Sequence, residues 1–225
     1  MNAVIIVAGG SGTRMNSPVP KQFILLAGKP LVLHTIGVFV EFDPDIRIIL
    51  VLPQSLFGEW RRLIREHSFR VPHKLVAGGS SRFYSVQNGL NELETENLVA
   101  VHDGARPLVS VDLIRRTFSE AAVHESAIPV IPLTESIRLT EGNTSSMADR
   151  SRFRIVQTPQ VFRTVHLKDA YRQVYREDFT DDASVIEAAG YPVRLMDGDP
   201  ANIKITWPAD LLLATALLTP SSPST

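Results

Sequence analysis

The chain has no cysteine, so disulfides, thiolate nucleophiles and cysteine-ligated metals are excluded. It has no basic excess: 23 Lys and Arg face 24 Asp and Glu, a formal net charge of −1. A nucleic-acid partner is therefore not expected, since too few cations are available to neutralise many phosphates. Cations for one small phosphorylated ligand can still be concentrated at a single site. Long apolar runs are missing too. Leu211 to Leu218 is too short to span a bilayer, so no membrane partner is expected. The first apolar run passes straight into glycine, unlike a signal peptide, and a cytoplasmic location is the resulting expectation. Two familiar phosphate loops are also lacking. Gly9, Gly10 and Gly12 have the wrong spacing for G-x-G-x-x-G, and no Gly-Lys pair follows as Walker A requires.

What is present begins at Ala3. Val4 to Val7 is a continuous β-branched run, as expected of a strand buried on both faces. It ends in Ala8-Gly9-Gly10-Ser11-Gly12, where small side chains leave backbone N–H groups open to an anion or a nucleobase. Arg14 and Lys21 follow, separated by Pro18 and Pro20, which oppose a long helix. Glycines alone are equally compatible with an unliganded turn; the strand, three glycines, Arg14 and Pro20-Lys21 together point to a triphosphate loop.

At 225 residues one domain is expected. Strand-like runs at 4–7, 46–52, 74–76, 98–102 and 127–131 alternate with helical patterns at 33–42, 56–67, 82–93 and 111–124. That order predicts an α/β fold with a mainly parallel sheet, whose ligands bind beyond the carboxyl ends of its strands. The pattern breaks over residues 132–156. Thr134–Leu139 alternates like a half-buried strand, Glu141-Gly142-Asn143-Thr144 is a turn, and Arg150–Val156 is expected to return antiparallel as a projecting β-hairpin arm. Helices near 165–175 and 181–189, strands at 192–196 and 203–206, and a helix from Pro208 complete a domain of residues 1–218. The Ser/Pro/Thr tail of residues 219–225 is expected to be disordered.

Three further stretches carry chemistry. Gly78-Gly79-Ser80-Ser81 precedes a helix, as an N-cap or as the wall of a base pocket with Ser85 one turn on. Asp103 follows a buried strand and can hold Mg²⁺, or can cap its own turn with Arg106 as ion-pair partner. Gly104 beside it would let backbone approach a sugar, and His102 is expected to pack. The second acid of an Asp-x-Asp pair is missing, which argues against sugar transfer. Thr180 is expected to cap the helix after it, and Lys204 lies on a strand face with Asn202, either solvated or as a third cation near phosphate.

These stretches, with Thr158-Pro159-Gln160, Thr180-Asp181-Asp182-Ala183 and Asn202-Ile203-Lys204, resemble the 2-C-methyl-D-erythritol 4-phosphate cytidylyltransferase family over nearly the whole chain. The related ribitol-5-phosphate cytidylyltransferases share most of them. The resemblance implies a Rossmann-like fold of the nucleotidyltransferase type and a homodimer built partly by the 132–156 arm. It implies CTP and a polyol phosphate as substrates, with Mg²⁺ or Mn²⁺ as cofactor. Ala8, Gly9, Gly10, Gly12, Gly79, Ser80, Ser85 and Gly104 would line the nucleotide site. Arg14 and Lys21 would grip the triphosphate, and Asp103 would hold the metal. Ser136, Arg150, Thr158, Thr180 and Lys204 would surround the sugar phosphate and the reacting centre, with Arg14, Lys21, Arg150 and Lys204 catalytic. Glu135-Ser136 stands where the family often has Asp-Thr, keeping the hydroxyl and losing a methyl. Two alternatives stay open: ribitol 5-phosphate as acceptor, and a non-catalytic nucleotide-binding protein, which would be expected to lose Arg14, Lys21 or Asp103.

Overall fold

The computed structural model describes residues 1–218 except 11, 16 and 95; the expected tail, 219–225, lies outside the described residues. Strand β1 is Ala3–Val7. Its side chains alternate between two buried faces, as a parallel strand requires. Val4 and Ile6 join Phe39 and Trp60 in one core; Ile5 joins Phe83 and Val86 in the other. Burying each such side chain contributes about 1.5–3 kcal/mol.

A short hairpin, β2 (Leu25–Leu26) with β3 (Lys29–Pro30), leads into α1 (Leu31–Phe42). Strand and helix then alternate: β4 (Arg47–Leu52), α2 (Phe57–Glu66), β5 (Lys74–Ala77), α3 (Arg82–Leu90), β6 (Leu98–Asp103), α4 (Val111–His124) and β7 (Ser126–Pro132). β1 pairs in parallel with β4 on one side and β6 on the other, and β5 extends the β4 edge. β11 (Gln160–Arg163) inserts antiparallel between β6 and β7. After it come α5 (Thr164–Ala170), α6 (Asp182–Ala188), β12 (Leu195–Asp197), which pairs with β7, and α7 (Pro208–Leu218). Among the described residues, no helix is long and apolar enough to cross a membrane.

The arm departs from its sequence reading. Its hairpin is β8 (Arg138–Glu141) with β9 (Thr144–Met147), closed by the expected turn. All eight residues are exposed, so the alternation from Thr134 marks no half-buried strand. Arg150 belongs to a 3₁₀ turn, Arg150–Arg152, rather than to the returning strand. The chain then comes back as β10 (Arg154–Val156), paired with β7 and not with β8. Two further expectations fail locally. Residues 203–206 form no strand, because Ile205 N–H bonds to the Ala105 carbonyl in a loop. The cap of α6 is Asp181, not Thr180: its carboxylate accepts from Ser184 N–H while Ser184 Oγ accepts from Asp181 N–H.

Candidate active site

β1 lies inside the sheet, with β4 on one side and β6 on the other, and its last residue, Val7, pairs with Asp103 at the end of β6. A crevice opens there, as it does in other sheets of this kind. Its volume is about 400 Å³.

One wall comes from the two glycine segments. Ala8, Gly9 and Gly10 line it after β1, and Gly79, Ser80 and Ser81 line it before α3. Gly79 has no substitute, since a Cβ there would overlap Tyr84 Cβ. Ser85 Oγ accepts from Gly79 N–H at 3.1 Å and donates to the Ser81 carbonyl at 2.9 Å. Its hydroxyl therefore shapes the loop that faces the crevice. Gly12 turns the first loop back at φ +64, where its missing Cβ leaves room for Lys21 Cβ, 2.7 Å from where that Cβ would stand.

The rest of the lining is charged. Arg14, Lys21, Arg82 and Lys204 line the crevice around Asp103. Asp103 Oδ2 lies 2.9 Å from Lys204 Nζ and 3.6 Å from Arg106 Nε, and Oδ1 lies 3.8 Å from Arg82 Nε. Burial opposes the carboxylate's charge, but Lys204, Arg82 and Arg106 outweigh it and hold Asp103 below the usual carboxylate range. Lys21 is shifted down, first by burial and then by Lys204 and Arg14. A surplus of positive charge around one carboxylate is what a polyphosphate site needs.

Other expected residues sit elsewhere. Gly104 is buried against the end of β1 and does not line the crevice: its N–H donates to the Val7 carbonyl, and a Cβ there would lie 2.9 Å from Ala8 Cβ. Thr158 is buried beneath Asp103, and its hydroxyl accepts from Asp103 N–H at 3.1 Å and meets His102 Nδ1 at 3.1 Å. His102 Nε2 lies 3.3 Å from the Arg106 carbonyl, which can only accept, so Nε2 carries the proton and Nδ1 accepts from Thr158. His102 packs, as expected, and this relay orients the Asp103 backbone. Ser136, Arg150 and Thr180 are exposed and do not line the crevice. Arg150 donates to the Thr134 carbonyl.

Sequence reasoning missed Arg82, Gln22 and Trp207. Arg82 lines the crevice while gripping buried Asp182. Gln22 is buried beside Lys21, and its Nε2 has no partner among the described residues. The Arg14 guanidinium lies 5.7 Å from the Trp207 ring centroid, which gives that cation a platform. The Pro20-Lys21-Gln22 triplet was the available signal for Gln22; nothing local marked Trp207.

Among the described residues no group of three His, Asp or Glu could cage a metal. A single carboxylate still suits Mg²⁺, which takes its remaining ligands from substrate phosphates and water. Asp103 lines the crevice with its side chain 12% exposed, which fits that donor set.

The family model described as 2-C-methyl-D-erythritol 4-phosphate cytidylyltransferase matches residues 2–220. Curated relatives of that name are 50% identical over 219 residues in Porphyromonas gingivalis, covering 96% of both chains. In Bacteroides thetaiotaomicron the identity is 47% over 216 residues, covering 96% of this chain and 99% of the relative. Among solved structures, the Thermus thermophilus enzyme of that name aligns with a TM-score of 0.78 at 31% identity, covering 96% of this chain and 98% of its own. The 4-diphosphocytidyl-2C-methyl-D-erythritol synthase of Anaerococcus prevotii aligns at 0.81 and 25% identity, covering 96% and 95%. With a match over residues 2–220 laid over a cation-rich crevice beside two glycine loops, the chain belongs to the 2-C-methyl-D-erythritol 4-phosphate cytidylyltransferase family.

Proposed function

We propose a division of labour in the crevice for the reaction of this family. The chain is a CTP-dependent nucleotidyltransferase. It transfers the cytidylyl group of CTP to 2-C-methyl-D-erythritol 4-phosphate, giving 4-diphosphocytidyl-2-C-methyl-D-erythritol and pyrophosphate, in isoprenoid precursor synthesis. A phosphate oxygen of the acceptor attacks the α-phosphorus in line, the new P–O bond forms, and the bond to pyrophosphate breaks. A phosphate monoester is already nucleophilic at neutral pH, so no general base is required. The protein's task is to position two anions and to neutralise developing charge.

The observation that carries this reading is the arrangement of Arg14, Lys21 and Lys204 around the single carboxylate of Asp103, between two loops that expose backbone. In it, Arg14 and Lys21 hold the triphosphate and Lys204 faces the reacting phosphates. Backbone groups of Ala8, Gly9, Gly10, Gly79 and Ser80 read the cytosine edge. Asp103 would hold Mg²⁺ or Mn²⁺, which supplies charge neutralisation at the triphosphate when bound.

The acceptor side is proposed to be completed by a second subunit. The arm exposes Leu139, Met147, Phe153 and Ile155, at 58%, 83%, 48% and 42%. A two-stranded hairpin is marginal alone, so such a surface calls for a partner. A two-fold homodimer through 132–156 would cover it and bring Arg150 and Ser136 to the neighbour's crevice, near Thr180. A cytoplasmic location is part of the same reading.

Pyrophosphate release from CTP, with methylerythritol phosphate and ribitol 5-phosphate offered separately, tests it. Release with the first alone is expected. Faster release with ribitol 5-phosphate would reassign the acceptor, and no release with either would favour a nucleotide-binding protein.

A further inference from the structure

Asp182 opens α6 with no exposure to solvent. Its two oxygens are gripped by Arg82 Nη1 at 3.0 Å and Nη2 at 2.6 Å, and Oδ1 also accepts from Tyr171 Oη at 2.6 Å. Burial holds the Tyr171 hydroxyl protonated, so it stays a donor. A buried carboxylate left without its cation is very costly, so Asp182 fixes the Arg82 fork in one orientation. That orientation spends both terminal nitrogens on Asp182 and turns Nε towards Asp103, 3.8 Å away. The distance exceeds a hydrogen bond, so Arg82 acts on the charge and direction of Asp103 without taking a lone pair of Oδ1, while Lys204 bonds Oδ2. Arg82 also directly follows Ser81, the cap of α3, and so belongs to the nucleotide-side wall. Asp182 follows Thr180 and Asp181, and Gln160 ties that end to β11 by donating to Asp181 at 2.8 Å and accepting from Ala183 N–H at 2.9 Å.

We propose that Arg82 is a positioning residue which, anchored by Asp182 and Tyr171, orients Asp103 for the metal–triphosphate and locks the nucleotide-side wall to the Thr180 segment. An apolar pair would serve stability equally well, since well-packed hydrophobic replacements of buried ion pairs are often neutral or better. The pair's contact with Asp103 supplies the reason for a charge here. The inference rests on Asp103 being the metal carboxylate of the proposed function.

The test is a double-mutant cycle between Arg82→Met and Asp103→Asn. Its readouts are the calorimetric affinity for a non-hydrolysable CTP analogue with Mg²⁺, and kcat and KM for CTP. Arg82→Met should weaken analogue binding roughly tenfold or more in the wild-type background, the scale for loss of a group that orients a metal ligand. In the Asp103→Asn background the same change should cost less than about twofold, because its target is gone. Equal losses in both backgrounds would overturn the inference, and so would no loss in either. If Arg82→Met does not fold, Arg82→Met with Asp182→Leu removes both buried charges together and enters the same cycle. Should Asp103→Asn alone leave the metal dependence of binding unchanged, the metal assignment fails first, a result distinct from additivity.

Discussion

Lys204 Nζ stands 2.9 Å from Asp103 Oδ2, closer than either arginine that shares the carboxylate. A lysine from the loop before α7 thus neutralises the carboxylate that is proposed to hold the metal. Asp103→Asn should lower activity by on the order of 10²-fold and raise the Mg²⁺ concentration needed, with the melting temperature little changed. Activity that survives exhaustive chelation would contradict a metal role for Asp103.

Lys21→Ala and Arg14→Ala should each lower turnover by on the order of 10²-fold or more, with circular dichroism intact. Lys21 is the partly buried cation and Arg14 the exposed one on Trp207, so Trp207→Ala should raise KM for CTP by a smaller factor. Near-normal turnover in both charge variants would remove the triphosphate assignment.

CTP should be preferred over UTP, ATP and GTP. Uracil reverses donor and acceptor at its edge and would leave the backbone groups of the two glycine segments unpaired, and a purine presents a different edge to them. Initial rates with the four nucleotides at equal concentration decide it; parity between CTP and UTP would show that these loops do not read the base.

Stability should fall in mild acid through His102. Burial lowers its pKa from 6.5 to about 4. The unfolded chain therefore takes up a proton below 6.5 while the folded one refuses it until about 4. This part of the stability is complete above 6.5 and drains as pH falls towards 4. Between neutral pH and pH about 5, denaturant unfolding should show the wild type losing about 2 kcal/mol more than His102→Gln. Equal losses would place the acid sensitivity elsewhere.

Arg150 tests the arm. Mixing the inactive variants Lys21→Ala and Arg150→Ala under verified subunit exchange makes about half the dimers mixed. If Arg150 serves the neighbour's site, each mixed dimer has one intact site, and about a quarter of wild-type activity should return. If it serves its own chain, every site keeps a defect and no recovery appears.

Local pattern determined much of this molecule. The β-branched run of β1, its glycine ending and the strand–helix alternation to β7 follow from side-chain period and backbone freedom, both encoded within a few residues. The crevice was legible for the same reason: Ala8 to Lys21, Gly79 to Ser85 and Asp103 each adjoin a strand end or a helix start. Only the tertiary structure decided where the arm's strands pair. β10 finds β7 at the base of the arm, with Arg154 opposite Pro132, where the local pattern pointed to a return against residues 134–139. It likewise decided that Thr158 lies under Asp103, that Gly104 packs on Ala8, and that Arg82 reaches Asp182 a hundred positions away. Those outcomes depend on which buried donors and acceptors, distant along the chain, must satisfy one another once the two cores have closed on the sheet.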